Sequence, residues 1–243
     1  MRKDKGGNGG TILNLASIYG YRVDQYLPVY QASKFAVMGF TKSLGHKANY
    51  DRSCVRHHKA GAWDKTKNSN NSSKHRLGKR WAVGQAAVDI FENGDSGTAW
   101  LIEGAKPIVE STSTSILILL TKLDSSLSHD MEWDPKNKVV VVTGGAGGIG
   151  YEIADKFLKY GAKTVIILDR NETLGAEAAQ KLNAKHGEGK AVFIKCDVTE
   201  DLDKVSSEIF QNYETDVLVN NAGVLDEANM RRTLETNLMA LID

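Results

Sequence analysis

The sequence predicts an α/β fold in a single domain, a doubly wound parallel sheet with helices on both faces, on two observations. From Lys138 onward, short runs rich in valine and isoleucine alternate with amphipathic stretches, the pattern of strands buried on both faces and joined by crossover helices. The chain up to about residue 110 carries the same alternation, and 243 residues at 41% hydrophobic content can bury one sizeable core.

In chain order, Thr11–Ala16 reads as a strand, followed by a long helix from about Leu27 to His46. Pro28 sits in its first turn, where a missing N–H costs nothing. Asp51–Arg80 is strongly basic and lacks hydrophobic periodicity, so it reads as irregular. A helix over Trp81–Glu92 is stopped by Asn93-Gly94, and Thr98–Ile102 reads as a strand. Ser111–Asn137, rich in serine and threonine apart from Ile116–Leu120, reads as a linker between a first half, residues 1–110, and a second, residues 138–243. In the second half, strands are expected at about Lys138–Thr143, Lys163–Leu168, Ala191–Cys196 and Asp216–Val219. Helices fall at about Gly148–Tyr160, Glu172–His186 and Leu202–Tyr213, and another begins near Met230 and runs toward Asp243.

A net charge of +1, from 31 basic and 30 acidic residues, supplies no field to draw nucleic acid or an anionic membrane, so a small-molecule partner is expected. Cys54 and Cys196 have no C-x-x-C spacing, which argues against a disulfide framework or a zinc site. His57, His58 and His75 add no closed ligand pattern, and no metal is expected. Met1–Gly10 has no apolar stretch to read as a secretory signal, and Ile116–Leu120 is far shorter than the ~20 residues of a membrane span. The expectation is a cytoplasmic protein.

Directly after the strand ending at Thr143 comes Gly144-Gly145-Ala146-Gly147-Gly148-Ile149-Gly150, and then an amphipathic helix. Missing side chains let the backbone approach a pyrophosphate, whose charge is met by free N–H groups at the helix N-terminus, and Gly150 allows close helix–strand packing. About 20 residues further on, Asp169 ends the next strand, where a carboxylate accepts hydrogen bonds from an adenosine ribose and repels a ribose phosphate. Strand, loop, helix and acid in this order predict a Rossmann-type dinucleotide site with NAD as cofactor, a preference that the neighbouring Arg170 tempers.

Thr143, Gly144, Gly148 and Gly150 fit the T-G-x-x-x-G-x-G motif of the short-chain dehydrogenase/reductase family, which the sequence resembles. Within it the wording is most similar to insect alcohol dehydrogenase-like proteins and hydroxyprostaglandin dehydrogenases. The resemblance extends to Asp197 and Val198 in Cys196-Asp197-Val198-Thr199, where the family's aspartate lies near the adenine. It also covers Asn220-Asn221-Ala222-Gly223, beside the cofactor, and Asn237, matching the family's active-site asparagine. At the front of the chain, Ser17 matches the catalytic serine and Tyr30-Gln31-Ala32-Ser33-Lys34 the Y-x-x-x-K motif, at the usual separation of thirteen.

Tyr30 and Lys34, four apart on one helix, share a face. A nearby ammonium is expected to lower the phenol from about 10 toward working pH, so that Tyr30 exchanges a proton with an alcohol or ketone during hydride transfer. The resemblance implies that Ser17 holds the substrate oxygen, that Lys34 also binds the nicotinamide ribose, and that Asn237 positions a relay water.

The order of the halves departs from the family, in which the glycine loop precedes the Tyr/Lys motif. Rejoining Asp243 to Met1 restores that order, either as a circular permutation or as a join of two neighbouring genes in which Met131 starts the second. Residues 54–60 replace the family's Pro-Gly element over the nicotinamide. The helix from Met230, which in the family often forms a homodimer contact, reads as cut short, and the fold as incomplete. The expected function is an NAD-dependent alcohol dehydrogenase/reductase acting on a small-molecule alcohol or ketone. The alternative is a catalytically silent dinucleotide-binding protein or a misjoined gene product.

Overall fold

The computed structural model describes residues 10–44, 55–59, 83–92, 99–103, 116–122 and 134–242. Among the described residues eight strands form one sheet: β1 (Thr11–Leu15), β2 (Val55–Lys59), β3 (Ala99–Glu103), β4 (Ile116–Lys122), β5 (Val139–Thr143), β6 (Thr164–Asp169), β7 (Ala191–Lys195) and β8 (Val217–Asn220). Their order across the sheet is β2-β3-β4-β1-β8-β5-β6-β7. The run from β1 to β7 is wholly parallel, and β1, from the front of the chain, lies directly beside β8, the last strand. This is the doubly wound α/β arrangement of the Rossmann type.

Both faces of the parallel run are covered, and β5 shows why its sequence is an unbroken valine run. Val140 and Val142 enter one core with Leu13, Ile153, Phe157 and Val217, while Val139 and Val141 enter the opposite core with Ile166, Val205 and Ile209. Each fully buried aliphatic side chain contributes roughly 1.5–3 kcal/mol relative to exposure. The first core is layered by α2 (residues 83–92), α3 (Gly148–Lys159) and α4 (Glu172–His186). Phe91 meets Phe157 edge to face at 5.7 Å between ring centroids. The second is closed by α5 (Leu202–Asn212).

The ends of α4 fall where its sequence places them. Asn171 accepts from the Leu174 N–H as N-cap, and Gly187 adopts φ 113° just past the last turn, a conformation that favours glycine. Helices α3 and α4 are locked together by Asp155, which accepts from Lys185 Nζ and contacts His186 Nε2 at 2.7 Å. Burial alone would raise its carboxyl, but the bonds from Lys185 and His186 outweigh this and hold it below the ordinary range.

At the front, α1 (Pro28–Leu44) packs Val37 and Met38 against Ala16 and Ile18. After β8, α6 (Met230–Leu234) passes into a π-helical turn over Glu235–Met239 and then α7 (Ala240–Ile242), so the helix expected from Met230 forms with a π-bulge at its centre.

Two expectations are corrected. Ile116–Lys122 is not linker: it is an antiparallel strand between β1 and β3, with register pairs from Thr11–Lys122 to Leu15–Ile118. The open side of β1 would otherwise present unpaired N–H and C=O groups, and the backbone of this apolar run pairs with them. Within the segment read as irregular, Val55–Lys59 forms a parallel pair with β3. That pairing is a non-local contact with no trace in local periodicity. The remainder of Asp51–Arg80, including Cys54 and His75, lies outside the described residues.

Candidate active site

Thr143, the last residue of β5, organises the glycine loop. Its Oγ1 accepts from the backbone N–H of Asn221 and of Ala222, both at 3.0 Å. Asn221 reciprocates, its Nδ2 donating to Thr143 O at 2.9 Å and Gly144 O at 3.0 Å. The Asn-Asn-Ala-Gly segment after β8 therefore clamps the start of the loop. Gly144 (φ +63°) and Gly148 (φ +60°) occupy the left-handed region. A Cβ on Gly150 would lie 2.4 Å from Gly144 O, whereas a Cβ on Gly147 or Gly148 would meet nothing within 4 Å. The outer side of the loop thus faces open space, room that a phosphate group needs.

Asp169, closing β6, accepts from the Ala146 N–H of the loop at 3.2 Å and from Asn171 N–H at 3.0 Å. Its carboxylate is fixed between loop and α4, with lone pairs left for another donor. Asp197 accepts from the N–H and hydroxyl of Thr199, and the backbone bond, partly countered by burial, holds its carboxyl below the ordinary range. Val198 lines a shallow depression with Thr143 and Ala222.

Ser17 lies two residues past the end of β1 and caps a short 3-10 turn, Ile18–Gly20, accepting from Tyr19 N–H at 3.3 Å. Tyr30 and Lys34 share the inner face of α1, with the Tyr19 ring edge-on to Tyr30 at 6.3 Å. Lys34 is buried, donates to Leu15 O at 3.0 Å, and holds Nζ 5.6 Å from the Tyr30 ring centroid. Ser17, Tyr30 and Lys34 line one cleft with Leu15, Ala16, Ile149, Asn221, Gly223, Val224 and Leu225.

The electrostatics of this pair differ from expectation. Burial lifts the Tyr30 phenol above its ordinary 10.0, and a hydrogen bond with Ser17 offsets only part of the rise. Burial also lowers Lys34 from 10.5 to about 8. The phenol is raised rather than depressed because burial strips its hydration, while the Lys34 ammonium donates to the Leu15 carbonyl.

Asn237 lies at the centre of the π-helical turn. Its Oδ1 accepts from Val224 N–H at 2.7 Å, and its Nδ2 donates to Val224 O at 2.8 Å and Ser33 Oγ at 3.2 Å. Both amide hydrogens hold the loop after β8 against α1, so the side chain positions that loop and none is left to donate to a relay water.

Sequence reasoning missed two connections. Asn14 on β1 accepts from Asn220 Nδ2 on β8 and donates to Thr41 Oγ1 on α1, both at 2.9 Å. Glu227, in the loop before α6, accepts from the backbone N–H groups of Val29 and Tyr30. Only the apolar Leu27 before Pro28, a helix start without its own polar cap, hinted at the second.

Among the described residues no group of three or more His, Cys, Asp or Glu is placed to hold a metal, and no helix is long and apolar enough to cross a membrane.

The sheet order and the cleft define an α/β protein of the Rossmann type. A family model described as short chain dehydrogenase matches residues 1–76 and 138–243, and the chain belongs to that family. It is 39% identical over 108 residues to the 15-hydroxyprostaglandin dehydrogenase (NAD(+)) of Macaca fascicularis, a match covering 43% of this chain and 40% of that one. It is 42% identical over 94 residues to short-chain dehydrogenase reductase 3c of Arabidopsis thaliana, over 37% of this chain and 34% of the relative. The matches thus span about two fifths or less of these relatives' length. Among solved structures, L-sorbose reductase of Gluconobacter frateurii, complexed with NADPH and L-sorbose, is 30% identical over 44% of each chain with a TM-score of 0.40.

Proposed function

We propose that this protein is an NAD-dependent oxidoreductase that interconverts a secondary alcohol and a ketone by hydride transfer. The observation that carries this reading is the meeting of Ser17, Tyr30 and Lys34 with Ile149, Asn221 and Gly223 around one cleft, although the two groups lie more than one hundred residues apart in the chain.

The residues present fit a dinucleotide. The loop Gly144–Gly150 offers backbone N–H groups beside open space for the pyrophosphate, Asp169 stands where a ribose hydroxyl would donate, and Asp197 and Val198 would flank the adenine. When bound, the nicotinamide supplies or accepts the hydride. Tyr30 gives a proton to the ketone oxygen in reduction and takes it from the alcohol in oxidation, with Ser17 holding that oxygen. Its raised phenol keeps the proton at neutral pH, which suits reduction. Oxidation needs the phenolate, so its rate should climb with pH between about 7 and 10 while reduction does not. Lys34, charged below about pH 8, would steady the developing phenolate there, and would bond the nicotinamide ribose. The preference for NAD rests on Asp169, whose fixed carboxylate would oppose a ribose phosphate.

The test is titration with NADH and NADPH, followed by a screen of secondary alcohols. NADH should bind with clear preference, and Asp169→Ala should erase it. Tyr30→Phe should abolish turnover, by a factor of about 100 or more, while leaving NADH binding nearly intact. Unchanged turnover in Tyr30→Phe would remove the mechanism.

A further inference from the structure

We infer that Glu227 is a positioning residue for Tyr30, capping the catalytic helix from the opposite half of the chain. The inference deepens the proposed function and rests on Tyr30 acting as its acid/base.

The start of α1 is short of local partners. The first intrahelical bond runs from Gln31 N–H to Leu27 O at 2.9 Å, so Leu27 is the residue just outside the helix, and its side chain offers no acceptor. Pro28 has no N–H to satisfy. The remaining first-turn donors are those of Val29 and Tyr30, and no acidic residue stands in that turn. Glu227 takes both: Oε2 accepts from Val29 N–H at 3.0 Å and Oε1 from Tyr30 N–H at 2.7 Å, across 197 residues of sequence. Two charge-assisted bonds from one carboxylate fix the turn in position and direction, and the negative charge complements the positive end of the helix.

The carboxylate is itself anchored. Its neighbour Asp226 accepts from Asn229 N–H and Arg232 Nη1, and the Asp226 carbonyl accepts from Thr233 Oγ1, which ties the loop to α6. Two residues earlier in the same loop, Leu225 lines the cleft, and beside it Val224 is gripped by Asn237. The backbone of Tyr30 is thus joined to the strand-end loop that shapes the other wall of the cleft. On its other side, Gln31 holds the backbone of Asp24, its Oε1 accepting from Asp24 N–H and its Nε2 donating to Asp24 O, so α1 keeps a second anchor when Glu227 is lost. Removal of Glu227 should therefore loosen the turn without unfolding the helix.

The experiment compares the full chain with Glu227→Ala and Glu227→Gln by amide hydrogen exchange across α1, NADH affinity, and kcat and KM for an alcohol substrate found in the screen. In Glu227→Ala, exchange at Val29 and Tyr30 should speed up by about tenfold or more, with Val37–Thr41 unchanged. The kcat should fall by about tenfold, with KM and NADH affinity held within about twofold, the split expected of a misplaced acid/base rather than of lost binding. Glu227→Gln, which keeps one acceptor, should fall between the two. Unchanged exchange at Val29 and Tyr30 overturns the inference whatever the turnover. Faster exchange with unchanged kcat overturns the positioning role. If the parent chain binds NADH yet turns over no alcohol, the proposed function fails and the positioning role with it, while exchange still reports whether Glu227 caps the helix.

Discussion

Lys34 is held far from its ordinary chemistry by burial. Its ammonium is buried, and its proton is released at about 8 instead of 10.5. Below pH 8 the lysine is charged in both the folded and unfolded chain, and the cost of keeping that charge buried is fully present. Between about 8 and 10.5 the folded chain releases the proton while the unfolded chain keeps it, so this group's contribution to stability rises with pH across that window. At roughly 1.4 kcal/mol per unit, the change amounts to about 3 kcal/mol. Lys34→Met removes the titration, so the gap in melting temperature between variant and parent should favour the variant most below pH 8 and shift toward the parent as pH rises to 10. A gap independent of pH would mean that Lys34 carries no buried charge. At this scale the motif residues were legible because their spacing is local: Ser17, Tyr30 and Lys34 lie within eighteen residues of one another. The raised Tyr30 phenol was not legible, because burial depends on neighbours that spacing does not reveal.

Among the elements, the glycine loop separates two tasks that one motif combines. Gly150 packs α3 onto β5, and an added methyl would stand 2.4 Å from Gly144 O and 2.6 Å from Asn221 Nδ2. Gly147 has extended backbone (φ −166°) that any residue can adopt, and its Cβ would enter open space. Gly150→Ala should cost about 1–3 kcal/mol of stability and displace the loop. Gly147→Ala should change stability by only about 0.5 kcal/mol and yet weaken NADH binding by about tenfold, since its methyl occupies room reserved for phosphate. Equal destabilisation by the two changes, measured in urea, would refute this division of labour. Both tasks could be read from the order strand, loop, helix, acid. The strands β5 to β8 were legible for a related reason, since burial on two faces demands continuous apolar runs. Strand β4 was not, because its role as the partner covering β1 is fixed by an edge some one hundred residues earlier in the chain.

At the scale of the whole molecule, the two halves meet along the parallel seam between β1 and β8, and polar groups hold it as well as backbone bonds. Thr11 N–H donates to Asp216 O at 2.8 Å, and Asn14 is paired with Asn220 across the strands and with Thr41 on α1. Asn14 and Thr41 are fully buried, so each bond replaces water that is not available. Because the aliphatic core also mixes Leu13 and Leu15 with Val140, Val142 and Val217, neither half closes its core alone. Unfolding should then be a single cooperative event, and damage at the seam should be felt throughout. Asn14→Ala removes the acceptor of Asn220 Nδ2 and one of the two bonds of the Thr41 hydroxyl, which keeps its bond to Val37 O, and should cost about 1–3 kcal/mol. In urea, circular dichroism and hydrogen exchange at β5–β7 should report the same lowered midpoint, although none of these strands supplies a side-chain hydrogen bond to Asn14. A biphasic transition, with β5–β7 keeping the parent midpoint while β1 melts early, would instead show two units in contact, and the cleft that both halves line would then depend on an interface weaker than the fold on either side.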